Sequence, residues 1–286
     1  MRSTEDMMQR IHAFIDGDER IRAAILNGSR ADEHRRKDAF SDFDLACFVE
    51  DFASFLRSMP DMRIFGETLI VHTSNDMLYL PDERAEVYMV QALYPDGHRI
   101  DFAFRPLTVL NRHLENEPKS VVVSDKDNRL SREYYRGNVD FKMKVPSEKM
   151  FQSAINTFWW LVPYVVKGLK RREWFYAERH LRLLRDIALD MLCWEVASKD
   201  PAFTPGNAMR HASKALREND LHTMLKAQNN NSETTMWQSL NALCSMVLKR
   251  SEALATVLNY ALDAGTYQDV YRYALKMESD SCEKTL

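Results

Sequence analysis

Two short stretches of the chain hold residue types at a spacing that can do chemistry. Asn27-Gly28-Ser29-Arg30 follows a short apolar run, and after a spacer Ser41-Asp42-Phe43-Asp44-Leu45 sets two aspartates either side of one apolar residue. Residues two apart on a strand share a face, so Asp42 and Asp44 are expected to point into one cavity. Two carboxylates that close repel each other and need a cation. Mg²⁺, which binds through few carboxylates together with substrate phosphates, suits them. A third acid, Asp101, stands in His98-Arg99-Ile100-Asp101-Phe102. If its strand lies beside the one bearing Asp42 and Asp44, three carboxylates converge. Three acids can hold two metal ions, which clamp the attacking and leaving oxygens of an in-line displacement. Gly28 permits close backbone approach. The Ser29 hydroxyl and nearby N–H groups can hold a phosphate, the more so if a helix begins there.

Each piece also has an ordinary reading. Asp-x-Asp is common, Gly-Ser after a strand is often just a turn, and Asp101 can be a partner of Arg99. The combination is more specific, and it needs elements to position it. Thr4 to Phe14 reads as a helix behind a Thr4 cap. Ile21 to Leu26 reads as a strand ending at Asn27-Gly28-Ser29, Phe43 to Val49 as a second, and Phe65 to His72 as a third, with a helix over Asp51 to Ser58. Val87 to Leu93 and His98 to Phe104 form a hairpin around Tyr94-Pro95-Asp96-Gly97, where Pro fixes one φ and Gly accepts a positive one. This predicts a mixed sheet in an α+β domain. From about residue 147 the pattern changes to long helices. Phe151, Ile155, Phe158, Val162, Val165 and Leu169 recur at helical spacing, with Pro163 expected to kink or interrupt the helix. Glu173 to Ser198, residues 232 to 262 and residues 265 to 277 read as further helices. The expected architecture is a sheet domain over residues 1–145 and a helical bundle over 146–286, with a cleft between them.

Bulk properties bound the function. A chain of 286 residues is comfortable for two domains. A net charge of -3 provides no general basic footprint for nucleic acid, while it attracts a cationic small molecule. The first twenty residues are charged and amphipathic, unlike a signal peptide, and runs such as Trp159 to Val166 are too short to span a bilayer. A cytoplasmic protein is expected, with no nucleic-acid or membrane partner; a monomer is expected, with an oligomer left open. Cys47, Cys193, Cys244 and Cys282 are scattered, which argues against a zinc site or disulfide framework. Cys47 and Cys193 read as core residues and Cys282 as an exposed thiol.

An apolar residue, Gly-Ser, a spacer and Asp-x-Asp together resemble the fingerprint of the nucleotidyltransferase superfamily of the DNA polymerase β type. The likeness extends further. Asn27-Gly28-Ser29-Arg30, Phe65-Gly66-Glu67, Tyr88-Met89-Val90-Gln91, Asp96-Gly97-His98-Arg99-Ile100-Asp101, Phe158-Trp159, the run Pro163 to Leu169 and Met191-Leu192-Cys193-Trp194 are similar to the aminoglycoside 6-adenylyltransferases, over roughly residues 1 to 275. The resemblance implies an α+β fold: an N-terminal nucleotidyltransferase domain with a mixed β-sheet flanked by helices, then a C-terminal α-helical bundle that binds the acceptor. It implies transfer of AMP from Mg²⁺-ATP to a hydroxyl of an aminoglycoside, namely the streptidine 6-hydroxyl of streptomycin, releasing pyrophosphate and inactivating the antibiotic. Asp42 and Asp44 match the metal-binding pair. Asp101 matches the third carboxylate, which ligates metal or takes the acceptor's proton. Gly28, Ser29 and Arg30 match the nucleotide loop.

Lys167 stands in an otherwise apolar run and can neutralise triphosphate charge; the other reading is a lysine near a helix end, favourable to the helix dipole. Glu178, Arg182, Asp186 and Asp190 form an i, i+4 stripe, mostly a solvated face. Glu178 or Asp186 can bind guanidinium groups of the acceptor. Trp160 or Trp159 can form a wall for a cation or ring, with one of the two expected in the core. His72, His98, His180 and His211 lack metal-ligand spacing. The basic run His34 to Lys37 reads as a solvated loop in which Arg35 or Lys37 can touch phosphate. Beyond Pro201 the likeness weakens, so acceptor specificity can differ there. The alternatives are the same reaction on another small-molecule or protein hydroxyl, and a non-catalytic nucleotide-binding protein. The presence of all three carboxylates argues against the last.

Overall fold

The structure is a computed structural model and describes residues 2–32, 37–38, 40–77, 86–117, 119–137 and 142–282. It comprises two compact units, Met1–Asp140 and Phe141–Leu286.

In the first unit, Ser3 rather than Thr4 starts the first helix. The Ser3 hydroxyl accepts from the Asp6 N–H while the Asp6 carboxylate accepts from the Ser3 N–H, a reciprocal cap for α1 (Thr4–Gly17). Met7, Ile11 and Ile15 follow at helical spacing and are fully buried. Then come β1 (Ile21–Asn27), the single turn α2 (Gly28–Ala31), β2 (Phe43–Val49), α3 (Phe52–Arg57), β3 (Ile70–Thr73), β4 (Tyr88–Leu93), β5 (Arg99–Pro106), α4 (Leu110–Asn116), β6 (Ser120–Asp125) and β7 (Tyr134–Tyr135). They build one seven-stranded sheet in the order β3-β4-β5-β2-β1-β6-β7. β2 and β5 run parallel; the other neighbours are antiparallel, so the sheet is mixed, as the sequence predicts.

The strand expected over Phe65 to His72 is shorter. Met62–Phe65 forms a 3₁₀ turn capped by the Asp61 carboxylate, and Gly66, at φ 126°, takes the chain out of it before β3 begins at Ile70. Side-chain parity sorts the sheet into two faces. Ala24, Leu26, Phe43, Leu45, Phe102 and Phe104 pack with α1. Ala23, Ile25, Ala46 and Phe48 pack with Val109, Leu110 and Leu114 around α4 on the other face.

The second unit is helical: α5 (Glu148–Lys170), α6 (Trp174–Lys199), α7 (Ala212–Ala215), α8 (Glu218–Lys226), α9 (Glu233–Leu258) and α10 (Ala264–Cys282). Pro163 does not interrupt α5. A proline inside a helix costs about 3 kcal/mol, and here Phe158, Trp159, Val162, Val165, Val166 and Leu169, all buried, hold the helix on both sides of it. Helix α9 stops at Leu258 rather than near residue 262, because Asn259 adopts the left-handed conformation (φ 55°) that closes a helix C-terminus. Cys47, Cys193 and Cys244 are buried; the side chain of Cys282 lies outside the described residues. Among the described residues no helix is long and apolar enough to cross a membrane.

Candidate active site

Register builds the site. Asp44 on β2 lies opposite Asn27, the last residue of β1, and also opposite Asp101 on β5. Asp101 lies opposite Gln91 on β4, and Gln91 opposite His72 on β3. Directly paired residues share a face. His72, Gln91, Asp101, Asp44 and Asn27 therefore form one polar rung across five strands, on the face that α4 covers. Hydrogen bonds run along it. His72 Nδ1 donates to Gln91 Oε1 at 3.3 Å, and Gln91 Nε2 donates to Asp101 Oδ2 at 2.8 Å. At the other end the buried Asn27 amide donates to His113 Nε2 at 2.9 Å and accepts from the Ser120 hydroxyl at 3.0 Å.

The loop after β1 closes onto the same rung. Gly28 has φ 68°, and a Cβ placed there would stand 1.9 Å from Asp44 Oδ2. Only glycine lets the backbone pass so close to that carboxylate. Ser29 follows in α2, partly exposed. Arg30 turns its guanidinium onto the Ser41 carbonyl (3.1 and 2.7 Å) and over the Phe43 ring at 3.9 Å. It thereby ties the loop to the start of β2, where Asp42 stands. Lys119, buried, pairs with Asp32 at 3.2 Å and anchors the far end of α2. Lys37 is exposed; His34, Arg35 and Arg36 lie outside the described residues.

Electrostatics mark Asp44. Burial, then Asp101, then Asp42 push its carboxyl up to about 6. Arg30 also brings positive charge toward Asp42 and Asp44, but the cation that grips this group is Arg99. Two residues before Asp101 on β5, it forks onto that carboxylate at 2.8 and 2.6 Å, and its Nη1 stands 3.7 Å from Asp42 Oδ2. Asp44 thus lies beside Asp101 with Asp42 nearby, but both oxygens of Asp101 are engaged by an arginine. Among the described residues no three His, Cys, Asp or Glu side chains are arranged to hold one metal ion. The donor chemistry nonetheless fits Mg²⁺: all-oxygen carboxylates, of which Asp44 is short of positive charge. A cavity of about 330 Å³ lined by Met62, Arg63, Val71, Tyr88 and Val90 contains none of these acids.

In the second unit, Lys167 and Trp160 lie on α5, and Glu178 and Asp186 on α6. Lys167 Nζ sits over the rings of Tyr164 (5.1 Å) and Tyr176 (5.0 Å). His180 packs against both tyrosines, and Trp160, 69 % exposed, packs edge-on against Tyr164. Trp159 is the core member of the pair, stacked on Tyr267. Glu178 accepts from Arg185 at 2.7 Å and from Asn230, so it is tied within the bundle rather than paired with Arg182. Asp186 is exposed, and Asp190 has its carboxyl raised by burial and by Asp186.

Sequence reasoning gave no role to Gln91, Asn27, His113, Tyr164 or Tyr176, and saw Arg99 only as a partner of Asp101. A signal for Gln91 was present: the turn Tyr94 to Gly97 sets the hairpin register that places it opposite Asp101. The pairing of Asn27 with His113, far along the chain, left none.

A family profile described as streptomycin adenylyltransferase matches residues 1–277. An aminoglycoside 6-adenylyltransferase of Bacillus subtilis (strain 168) is 30% identical over 263 residues, covering 91% of this chain and 93% of that protein. One from Campylobacter jejuni is also 30% identical and covers 91% of each. The crystal structure of an aminoglycoside 6-adenyltransferase from Bacillus subtilis aligns with a TM-score of 0.47 at 26% identity, covering 97% of this chain and 99% of that one.

Proposed function

The chain belongs to the streptomycin adenylyltransferase family of nucleotidyltransferases, and from that premise we propose that it transfers AMP from Mg²⁺-ATP to a hydroxyl of an aminoglycoside, the streptidine 6-hydroxyl of streptomycin, and releases pyrophosphate. The observation that carries this reading is the register that sets Asp44 beside Asp101 with Gly28 pressed against the Asp44 carboxylate. A carboxylate cluster with a glycine-lined approach suits a triphosphate brought in with its cation.

In this reading the first unit binds the nucleotide and the second the acceptor. Asp42, Asp44 and Asp101 would hold Mg²⁺, which when bound neutralises triphosphate charge and makes the α-phosphorus more electrophilic. Gly28 lets the phosphates approach the backbone, the Ser29 hydroxyl donates to a phosphate oxygen, and Arg30 keeps the loop closed over β2. Lys167, held between two tyrosine faces, is assigned to triphosphate charge. The acceptor oxygen forms a bond to the α-phosphorus while the bond from that phosphorus to the bridging oxygen breaks. Pyrophosphate leaves with the electron pair. Asp101 is assigned the proton of the acceptor hydroxyl, within reach of the same rung. Trp160, Asp186 and Glu178 are assigned to the cationic acceptor, by ring stacking and by carboxylates that pair with guanidinium groups.

The test is pyrophosphate release from Mg²⁺-ATP with and without streptomycin, beside an Asp44→Asn control. Release that needs streptomycin and vanishes in the control is expected. Release that is equal in the Asp44→Asn protein overturns the site. Release with another aminoglycoside but not streptomycin corrects the acceptor alone.

A further inference from the structure

Arg99 stands where a divalent cation is expected. It begins β5, shares a face with Asp101, and is 42 % exposed at its side chain, whereas Asp101 is buried. Its Nε and Nη2 take both Asp101 oxygens, and Nη1 reaches toward Asp42. Asp44 completes the negative surroundings of the guanidinium. A planar guanidinium makes this fork; a lysine ammonium cannot. Asp101 Oδ2 already accepts from both Arg99 and Gln91 and Oδ1 from Arg99, so a metal ion at Asp101 would compete with the guanidinium and be repelled by its charge. Among the described residues the further hydrogen-bond partner of that carboxylate is Gln91, which is neutral and has no reason to move whichever cation is bound.

We propose that Arg99 is a positioning residue that holds Asp101 and Asp42 together in the metal-free protein and gives way to the divalent cation as nucleotide binds. This rests on the reading of the three acids as a metal and nucleotide site. Three carboxylates gathered without any cation repel one another and splay the ends of β2 and β5. The Arg99 guanidinium, with Arg30 as a second cation near Asp42 and Asp44, offsets that repulsion, and its exposed side chain has solvent to move into. Binding of the metal is then an exchange of one cation for another, so the intrinsic affinity for the ion is lower than the acids alone would provide. The neutral Gln91 and the pairing of β4 with β5 keep Asp101 oriented during the exchange.

The experiment titrates the nucleotide-free protein with Mn²⁺, followed by the electron paramagnetic resonance signal of the free ion, for wild type, Arg99→Gln, Arg99→Lys and Asp44→Asn. Removing the competing fork is expected to tighten Mn²⁺ binding about tenfold or more, the size of a charged hydrogen-bonded interaction. Without metal the Arg99→Gln protein melts at a lower temperature than wild type, and Mg²⁺ restores it. Arg99→Lys, which keeps the charge without the fork and guards against a failure to fold, shifts in the same direction by less. A merely structural arginine would not raise metal affinity on removal. Unchanged or weaker Mn²⁺ binding in Arg99→Gln, with binding lost in Asp44→Asn, overturns the exchange and leaves the metal site standing. No Mn²⁺ binding by any of the four proteins overturns both.

Discussion

The two units hold their polar side chains in opposite ways. In the first, His72, Gln91, Asp101, Asp44 and Asn27 come from five strands, and each hydrogen-bonds to or crowds the next. In the second, Trp160, Tyr164 and Lys167 are neighbours on one helix, and Glu178 and Asp186 lie eight residues apart on the next. Register ties the first set into a unit in which a shift at one member is felt by the others. The second set is looser: Trp160 and Lys167 each contact Tyr164, while Asp186 makes no ion pair among the described residues. Substitutions in the first region should therefore act strongly and non-additively, and those in the second weakly and independently.

The largest expected effect sharpens that contrast. Asp44→Asn keeps the shape of the rung and removes the central charge. Turnover should fall by about 10³-fold or more, the size of several kcal/mol of lost charge stabilisation. The metal-free protein should melt no lower than wild type, because a carboxylate crowded by Asp101 and Asp42 is relieved. A variant with near-wild-type turnover breaks the assignment. Gly28→Ala comes next. Its methyl would overlap Asp44 Oδ2, and its φ of 68° costs an L-residue about 1–2 kcal/mol. Activity should drop about a hundredfold and the thermal midpoint should fall, both read on the purified variant. If Gly28→Ala lost stability alone, the loop would be a turn and not a phosphate site.

How much of this was readable beforehand follows the same divide. Gly28, Asp42 and Asp44 were legible because their spacing is local and strand parity needs no partner. Asp101 was legible as a strand acid, because the turn Tyr94-Pro95-Asp96-Gly97 announces the hairpin. That β5 then lies parallel to β2 is a long-range pairing no local pattern encodes. Hence Arg99, an ordinary strand-end cation in one dimension, proved to face three acids in three. The start of β3 was misread because Phe65 looks like a strand residue yet is buried at the end of a 3₁₀ turn. Of the two outcomes expected at Pro163, interruption does not occur, because packing on both sides overrides its local penalty. In the helical unit the long helices followed from periodicity, while the placing of Trp159 in the core and the capture of Glu178 by Arg185 and Asn230 did not.

Lys167 tests whether the helical unit also contains a cooperative member. Its ammonium is held by two rings, so Lys167→Met should raise KM for ATP by about tenfold with little change in melting, as expected for one lost phosphate contact. A change in KM for the acceptor instead would reassign it.

A smaller effect concerns the hairpin that carries Asp101. Arg2 donates to Asp96 in the turn, holding that carboxyl well below its usual range, with the Asp96 side chain 15 % exposed. A lowered folded value means the stabilisation is present above the unfolded pKa of about 3.9 and is lost as pH falls below it. Arg2→Gln should therefore melt lower than wild type at neutral pH by about 1 kcal/mol and converge with it in acid. A constant gap at all pH values would make the arginine's contribution one of packing.

The smallest effect is the most direct test of independence. Asp186 is exposed and, among the described residues, has no ion-pair partner, so Asp186→Asn removes charge without breaking a network. Exposed pairs contribute about 0.2–1 kcal/mol, so KM for a cationic acceptor should rise only about two- to fivefold, with kcat unchanged. Added salt should shrink the difference, because exposed charges are screened. Trp160→Ala should act by stacking, not charge, and be insensitive to salt. The double variant should lose the product of the two factors, since one side chain acts by stacking and the other by charge. A double loss smaller than that product would mean the acceptor couples the two residues, and the helical face would then be as cooperative as the strand rung.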